Sequence, residues 1–275
     1  MRSKIIEAVR KERPLIHHIT NQVVMNFSAN GLLAFGGSPI MAKESNEVEE
    51  IVDISSGLLL NIGTALEYDI DVMIKAGQKA NLRGIPVVID PVGIGASTYR
   101  SERVKLLLQK VKPTVIKGNA GELAHLAGIK WGTKGVDSTG SGNIVEVAQN
   151  VMQQYQCAVV LTGEKDAIQT TNGTVINESG HKILEQITGA GCLLGSIMTA
   201  CIAIEGNLEE QLDAAVYFYG LAAEYAYQNP EVNGSGTFLP NFIDALSYDL
   251  TELERGITDE KGATKEILHH GQSEL

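Results

Sequence analysis

The sequence predicts an α/β layered fold in which a parallel sheet is covered by helices. Three observations predict it. Four short apolar runs, Leu58-Leu59-Leu60, Pro86-Val87-Val88-Ile89, Thr114-Val115-Ile116 and Val159-Val160-Leu161, are rich in branched residues and continuous rather than alternating. Strands buried on both faces read this way. Each run ends in polar or glycine residues, and the segments between runs have helical length and pattern. Strands alternating with helices build layered α/β domains.

Taken in order, residues 1–14 (MRSKIIEAVRKERP) are charged and amphipathic rather than leader-like. The run at 58–60 ends in Asn61-Ile62-Gly63. Thr64 is placed to cap a helix running through Asp71, Met73, Ile74 and Ala80, with Gly84 as its stop. The run at 86–89 ends in Asp90-Pro91-Val92-Gly93, and that at 114–116 in Lys117-Gly118-Asn119, with helices expected over 101–110 and 119–128. Val159-Val160-Leu161 ends in Thr162-Gly163. Asn172-Gly173, between Ile168-Gln169-Thr170 and Thr174-Val175-Ile176, signals a hairpin. Two long apolar helices follow, roughly 191–204 and 208–228. No linker or repeat divides the chain. Residues 1–250 read as one domain and 251–275 as a polar, loosely ordered tail.

The chain has 275 residues, 44% hydrophobic and 20% charged, enough apolar content for a sizeable core. A net charge of −11 argues against nucleic acid and anionic membranes as partners, though not against a locally bound phosphate. Cys157, Cys192 and Cys201 are odd in number and match no zinc or disulfide spacing, which reads as a reducing, cytoplasmic setting. No apolar run approaches the ~20 residues that cross a bilayer.

Ligands of open parallel sheets bind beyond the carboxyl ends of the strands. Those ends carry Asn61, Asp90, Lys117, Asn119 and Thr162, with Glu122 one helical turn after Asn119. Gly189-Ala190-Gly191 at a helix start reads as an anion hole of free N–H groups, or as an ordinary glycine turn. Cys192 follows it at the positive end of the helix dipole, where a thiol is a candidate for a lowered pKa. It reads as a nucleophile, a base or a small buried residue; Cys157 and Cys201 read as core. Asp90 reads as a magnesium ligand or a helix cap, and Glu122 as its partner or a surface carboxylate. The histidines (His17, His18, His125, His181, His269, His270) have no metal-ligand spacing and read as structural or solvated.

Six segments occur together and in order: HHITNQVVMNFSANGLLAFGGSPIMA (17–42), LNIGT (60–64), VVIDPVGIGAS (87–97), VIKGNAGELAHLAG (115–128), VVLTGEKD (159–166) and ITGAGCLLGS (187–196). In these the chain resembles the hydroxyethylthiazole kinases, thiamine-salvage enzymes of the ribokinase-like superfamily. The resemblance implies a single α/β domain with a central, mostly parallel sheet flanked by helices on both faces and no separate lid domain. It implies transfer of the γ-phosphate of ATP to the hydroxyl of 4-methyl-5-(2-hydroxyethyl)thiazole with Mg²⁺, in a homotrimer whose thiazole site lies between subunits. It implies Asp90 and Glu122 at the metal, Lys117, Thr162 and Asn119 at ATP, and Met41, Gly189 and Asn21 at the thiazole. Gly189, Ala190 and Gly191 would form the anion hole, and Cys192 occupies the position of the sugar-kinase general base. The family commonly has arginine where this chain has Lys117, so the charge is kept and the bidentate fork lost.

Three other readings stand beside this one. They are a kinase of hydroxymethylpyrimidine, a cysteine hydrolase pairing Cys192 with a histidine, and a non-catalytic nucleotide or thiazole sensor.

Overall fold

The computed structural model describes residues 1–131 and 141–257. Eight strands form one sheet in the order β2-β1-β3-β4-β5-β6-β7-β8. The four apolar runs are the central strands β3 (Gly57–Asn61), β4 (Val87–Asp90), β5 (Val115–Asn119) and β6 (Ala158–Thr162). All neighbouring pairs from β2 to β6 are parallel. The hairpin β7 (Asp166–Thr170) and β8 (Gly173–Asn177) adds an antiparallel edge to β6. Its two-residue loop is Thr171-Asn172, one position before the expected Asn172-Gly173, and Gly173 takes a φ of 137° as the first residue of β8.

Two strands were not legible in the sequence. Strand β1 (Leu15–Ile19) carries two histidines at its centre, which hide an apolar run, and β2 (Ser38–Ile40) is a three-residue edge. His17 and His18 are nonetheless fully buried.

Strand side chains alternate between the two faces. Leu59, Val88, Val115 and Val160 enter a core with α1 (Arg2–Glu12), α2 (Met25–Phe35), α8 (Ala190–Ile202), α9 (Leu208–Gln228) and α10 (Ser235–Ala245). Leu58, Leu60, Val87, Ile89, Ile116, Val159 and Leu161 enter the other, under α3 (Val48–Ile54), α4 (Glu67–Arg83), α5 (Thr98–Lys110), α6 (Ala120–Leu126) and α7 (Ser141–Tyr155). Helix α8 is apolar all round because it is buried all round, lying between the sheet and α9. No helix among the described residues is long and apolar enough to cross a membrane.

Two expectations need correction. Thr64 does not cap α4. That helix starts at Glu67, the Asp69 carboxylate accepts the N–H of Leu66 at 2.9 Å, and the Thr64 hydroxyl accepts the N–H of Gln22 at 3.2 Å. Gly84 does end the helix, at φ 71°. The tail is not loose from residue 251 onward, because residues 250–257 form a further helix. Leu253 and Ile257 of that helix are buried in the same core as α9 and α10, so an apolar stripe inside a charged segment outweighed its average polarity. The rest of the tail, with His269 and His270, lies outside the described residues.

His18 ties β1 to α8. Its Nδ1 donates to Ile16 O at 2.9 Å, and in the neutral ring its Nε2 accepts from Ser196 Oγ at 3.0 Å. Burial pushes its pKa down to about 4 from 6.5. A buried neutral histidine takes up protons only in the unfolded chain between those values, so its stabilising effect is full above pH 6.5 and is lost as pH falls toward 4. In urea unfolding of wild type and His18→Gln, the stability advantage of wild type should therefore shrink steadily from pH 6.5 to pH 4. A pH-independent difference would show that the ring is not held neutral.

Candidate active site

The site is built by strand register. Asn61 of β3 pairs with Asp90 of β4, and Ile89 with Ile116, which sets Asp90 beside Lys117 of β5. Each of these polar residues stands two positions after an apolar residue that points toward α8: Leu59, Val88 and Val115. The period of two therefore aims Asn61, Asp90 and Lys117 at the same helix, and Thr162 follows Val160 by the same rule.

All three side chains are buried, and they are bonded to one another. Lys117 Nζ donates to Asp90 Oδ2 at 3.1 Å, and Asn61 Nδ2 donates to the same oxygen at 3.1 Å. Among the described ion pairs this is the one with both side chains sealed from water, at 5% and 0% exposure. Burial pushes the Asp90 pKa up to about 6, while Lys117 and Asn61 hold it back, so the carboxylate is ionised at neutral pH. For Lys117, burial works against the charge, but Asp90, Cys192 and Glu122 outweigh it and its pKa lies above the ordinary lysine value. Asp90 is not a helix cap. Its Oδ1 is buried with no hydrogen-bond partner, which leaves one hard anionic oxygen available.

Over this row sits the start of α8. Gly189 is the residue before the helix, at φ 92°, and a Cβ there would stand 2.5 Å from Val24 Cγ1. No side chain caps the helix start. Among the described residues the N–H groups of Gly191 and Cys192 make no hydrogen bond, and both residues line the cavity. Gly191 and Cys192 therefore offer free donors at a positive helix end, with a buried ammonium beneath it, which is chemistry for an oxyanion or phosphoryl group. A Cβ at Gly191 would come within 3.0 Å of Lys117 Nζ.

The Cys192 thiol does not have the lowered pKa that its position at a helix start led us to expect. Burial, and then the Asp90 charge, push it up; Lys117 and the two asparagines offset this only in part. Its sulfur accepts from Asn61 Nδ2 at 3.2 Å and from Asn21 Nδ2 at 3.6 Å. Among the described residues the hydrogen-bond partners of the sulfur are these two amides and no histidine; His18 is bonded to Ser196, and His181, across the cavity, accepts from the Ile183 N–H and stacks on Tyr227. The thiol thus has no bonded base of the kind a cysteine hydrolase uses. Cys157 and Cys201 are buried, and burial raises the Cys157 pKa to about 12.

Asn119 and Glu122 cap α6 reciprocally: Asn119 Oδ1 accepts the Glu122 N–H at 2.9 Å, and Glu122 Oε2 accepts the Asn119 N–H at 2.9 Å. Glu122 Oε1 also accepts the N–H of Gly93 at 2.8 Å. The motif thus ties the loop after β4 to the helix after β5 and brings a second carboxylate to the cavity that Asp90 lines.

That cavity measures about 720 Å³ and is lined by Asp90, Lys117, Asn119, Glu122, Thr162, Gly189, Ala190, Gly191 and Cys192 together. Of the remaining expected site residues, Asn21 stands behind Cys192. Met41 lies half-buried in the loop after β2 and does not line the cavity. Among the lining residues that escaped the sequence reading are Asp166, His181 and Tyr219. Asp166 Oδ1 accepts the Gly163 N–H at 3.1 Å and closes the turn after β6; burial raises its pKa to about 6. The segment 159–166 already contained this carboxylate, at the start of a strand. His181 stacks on Tyr227 with ring centroids 3.7 Å apart, and Tyr219 arrives from α9, about thirty positions after the glycines. Nothing in the local sequence marked either one.

A mostly parallel sheet between two helical layers, with a buried Asp–Lys pair under a glycine-opened helix start, defines a ribokinase-like fold. A ribokinase-like superfamily protein from Enterococcus faecalis shares that fold at TM-score 0.63 and 13% identity, over 92% of this chain and 94% of that chain. A family model, the hydroxyethylthiazole kinase family, matches residues 6–252. This chain is 54% identical over 256 residues to hydroxyethylthiazole kinase 1 of Oceanobacillus iheyensis, covering 93% of this chain and 100% of that protein. The solved hydroxyethylthiazole kinase of Pyrococcus horikoshii matches at TM-score 0.81 and 33% identity, over 90% of this chain and 92% of that one. The chain belongs to the hydroxyethylthiazole kinase family.

The contact between Gly191 and Lys117 is directly testable. Gly191→Ala should leave the protein folded but displace the ammonium, lowering turnover at least about tenfold, because a misdirected charge-assisted contact is worth about 1.5–3 kcal/mol. Circular dichroism and steady-state rates check it; unchanged turnover would show that the space above Lys117 is not used.

Proposed function

We propose that this chain transfers the γ-phosphate of ATP to the hydroxyl of 4-methyl-5-(2-hydroxyethyl)thiazole, giving the phosphate ester used in thiamine synthesis. The observation that carries this reading is the convergence in one cavity of a buried ammonium, two carboxylates and the uncapped start of α8. Family membership names the acceptor. Phosphoryl transfer depends mostly on positioning and charge neutralisation, and these are the functions that this arrangement can perform.

On this reading the donors at Gly191 and Cys192 and the Lys117 ammonium hold the phosphoryl oxygens. Thr162 and the Asp166-braced turn hold the rest of the nucleotide. Asp90, through its unpartnered Oδ1, and Glu122 would hold Mg²⁺ together with the phosphates. The donor set fits, because a hard cation takes anionic oxygens and keeps waters, and no group of three protein ligands is needed. Bound there, the ion would neutralise phosphate charge. Cys192 is a neutral thiol whose sulfur already accepts from two amides, so it orients the acceptor hydroxyl rather than deprotonating it in the ground state. Met41 does not line the cavity of its own chain and would serve a thiazole site completed between subunits of a homotrimer. A stable monomer by mass measurement in solution would overturn that assembly. The enzyme would act in the cytoplasm.

ADP release with MgATP should require hydroxyethylthiazole and not hydroxymethylpyrimidine or buffer alone. Cys192→Ala should keep measurable turnover, losing less than the roughly hundredfold that a general base supplies at minimum. Acceptor-independent or absent ADP release from folded, ATP-binding protein would reject the assignment. Lys117→Arg should retain activity, since the family commonly has arginine there and the positive charge facing Asp90 is kept; a collapse in rate with normal folding would show that lysine itself is required.

A further inference from the structure

The start of α8 raises a physical difficulty. A helix that binds an anion through its first N–H groups cannot also cap them with a side chain, because the cap would occupy the same donors. Here the problem is sharpened by sequence, since glycines flank Ala190 and the backbone is locally permissive. The residue before the helix is left-handed, and the backbone bond into the turn, Ala190 N–H to Ile187 O, is long at 3.4 Å. Something else must hold the turn still.

One side chain does so from the opposite direction. Tyr219, on α9, donates from its hydroxyl to the carbonyl of Ala190 at 2.6 Å. The phenol is buried, lines the cavity, and is steadied by an edge-to-face contact with Phe242 at 5.1 Å, interplanar angle 84°. Ala190 stands between the two glycines, so its carbonyl is the point from which the neighbouring peptide planes can be fixed without covering an N–H. Among the described residues no other side-chain hydrogen bond reaches residues 189–191.

We propose that Tyr219 is a positioning residue for phosphoryl transfer: its hydroxyl clamps the Ala190 carbonyl and so aims the free N–H groups of Gly191 and Cys192 at the transferring phosphoryl group. It takes the place of an N-cap on a helix whose N-terminus has to stay open. This rests on the kinase reading above.

Tyr219→Phe tests it. The variant keeps the ring and its contact with Phe242, and Ala190 O still has its helical partner four residues on, so no buried acceptor is orphaned. Turnover should fall about tenfold, the size of one neutral hydrogen bond used in the transition state. KM for ATP and for hydroxyethylthiazole should stay within twofold, and the melting temperature should be nearly unchanged. Affinity for MgADP with aluminium fluoride, a mimic of the transferring group, should weaken by the same factor while affinity for MgADP alone holds. A merely structural tyrosine would lower the melting temperature and leave turnover per folded molecule and the ratio of the two affinities unaltered, which would overturn the proposal. So would turnover within twofold of wild type. Wild type run in parallel separates the two levels: thiazole-dependent turnover with an unaffected Tyr219→Phe rejects only the clamp, whereas an inactive wild type rejects the kinase reading and the clamp with it.

Discussion

The buried pair of Lys117 and Asp90 is the interaction on which the site depends. Two opposite charges removed from water are costly to bury, and leaving either one alone would destabilise the fold by several kcal/mol. The pair is tolerated because register places the two residues side by side and because Asn61 supplies a further donor to the same carboxylate oxygen. The arrangement keeps an ammonium directly beneath the α8 start and leaves Asp90 Oδ1 without a partner. A fold seeking stability alone would use apolar residues there. Retaining a half-satisfied charged pair in a core is intelligible only if a charged ligand completes it.

The helix above the pair follows the same logic. Three helices start on side-chain caps, Ser97 for α5, Asn119 for α6 and Asn207 for α9, whereas α1, α2, α3 and α10 have none. Helix α8 starts on a left-handed glycine with no cap. Its donors face the cavity, and its rigidity comes from burial along its length and from Tyr219 at its first turn. Stability and openness are thus supplied by different residues, which lets one end of a fully buried helix remain available.

Cys192 shows how much environment decides about a residue of known position. A thiol at the positive end of a helix should ionise readily, and on the dipole alone its pKa would fall. Burial and the neighbouring Asp90 carboxylate act in the opposite sense and prevail. The dipole is a surface-scale effect of about 1 kcal/mol, whereas desolvation of a buried thiolate is larger. The two amide donors at its sulfur then leave the thiol to orient a neighbour rather than to take its proton.

By itself the sequence determined the architecture, the four central strands, the edge on which chemistry gathers, and most of the residues that gather there. It could do so because buried parallel strands are continuous apolar runs and because glycines and carboxylates at their ends are locally conspicuous. The family resemblance was equally legible, carried by ordered motifs. What the tertiary structure decided were relations between distant positions. The histidine-bearing β1 reads as polar until both rings are seen buried and bonded. The helix at 250–257 reads as tail until Leu253 meets the core. His181 and Tyr219 reach the cavity from other elements with no local signal. Asn21 and Asn61 meet at one sulfur although forty residues separate them in the chain. Local propensity is written in neighbouring residues, but burial, pKa and hydrogen-bond partnership belong to the assembled fold, and those quantities decide whether a polar residue is structural or chemical.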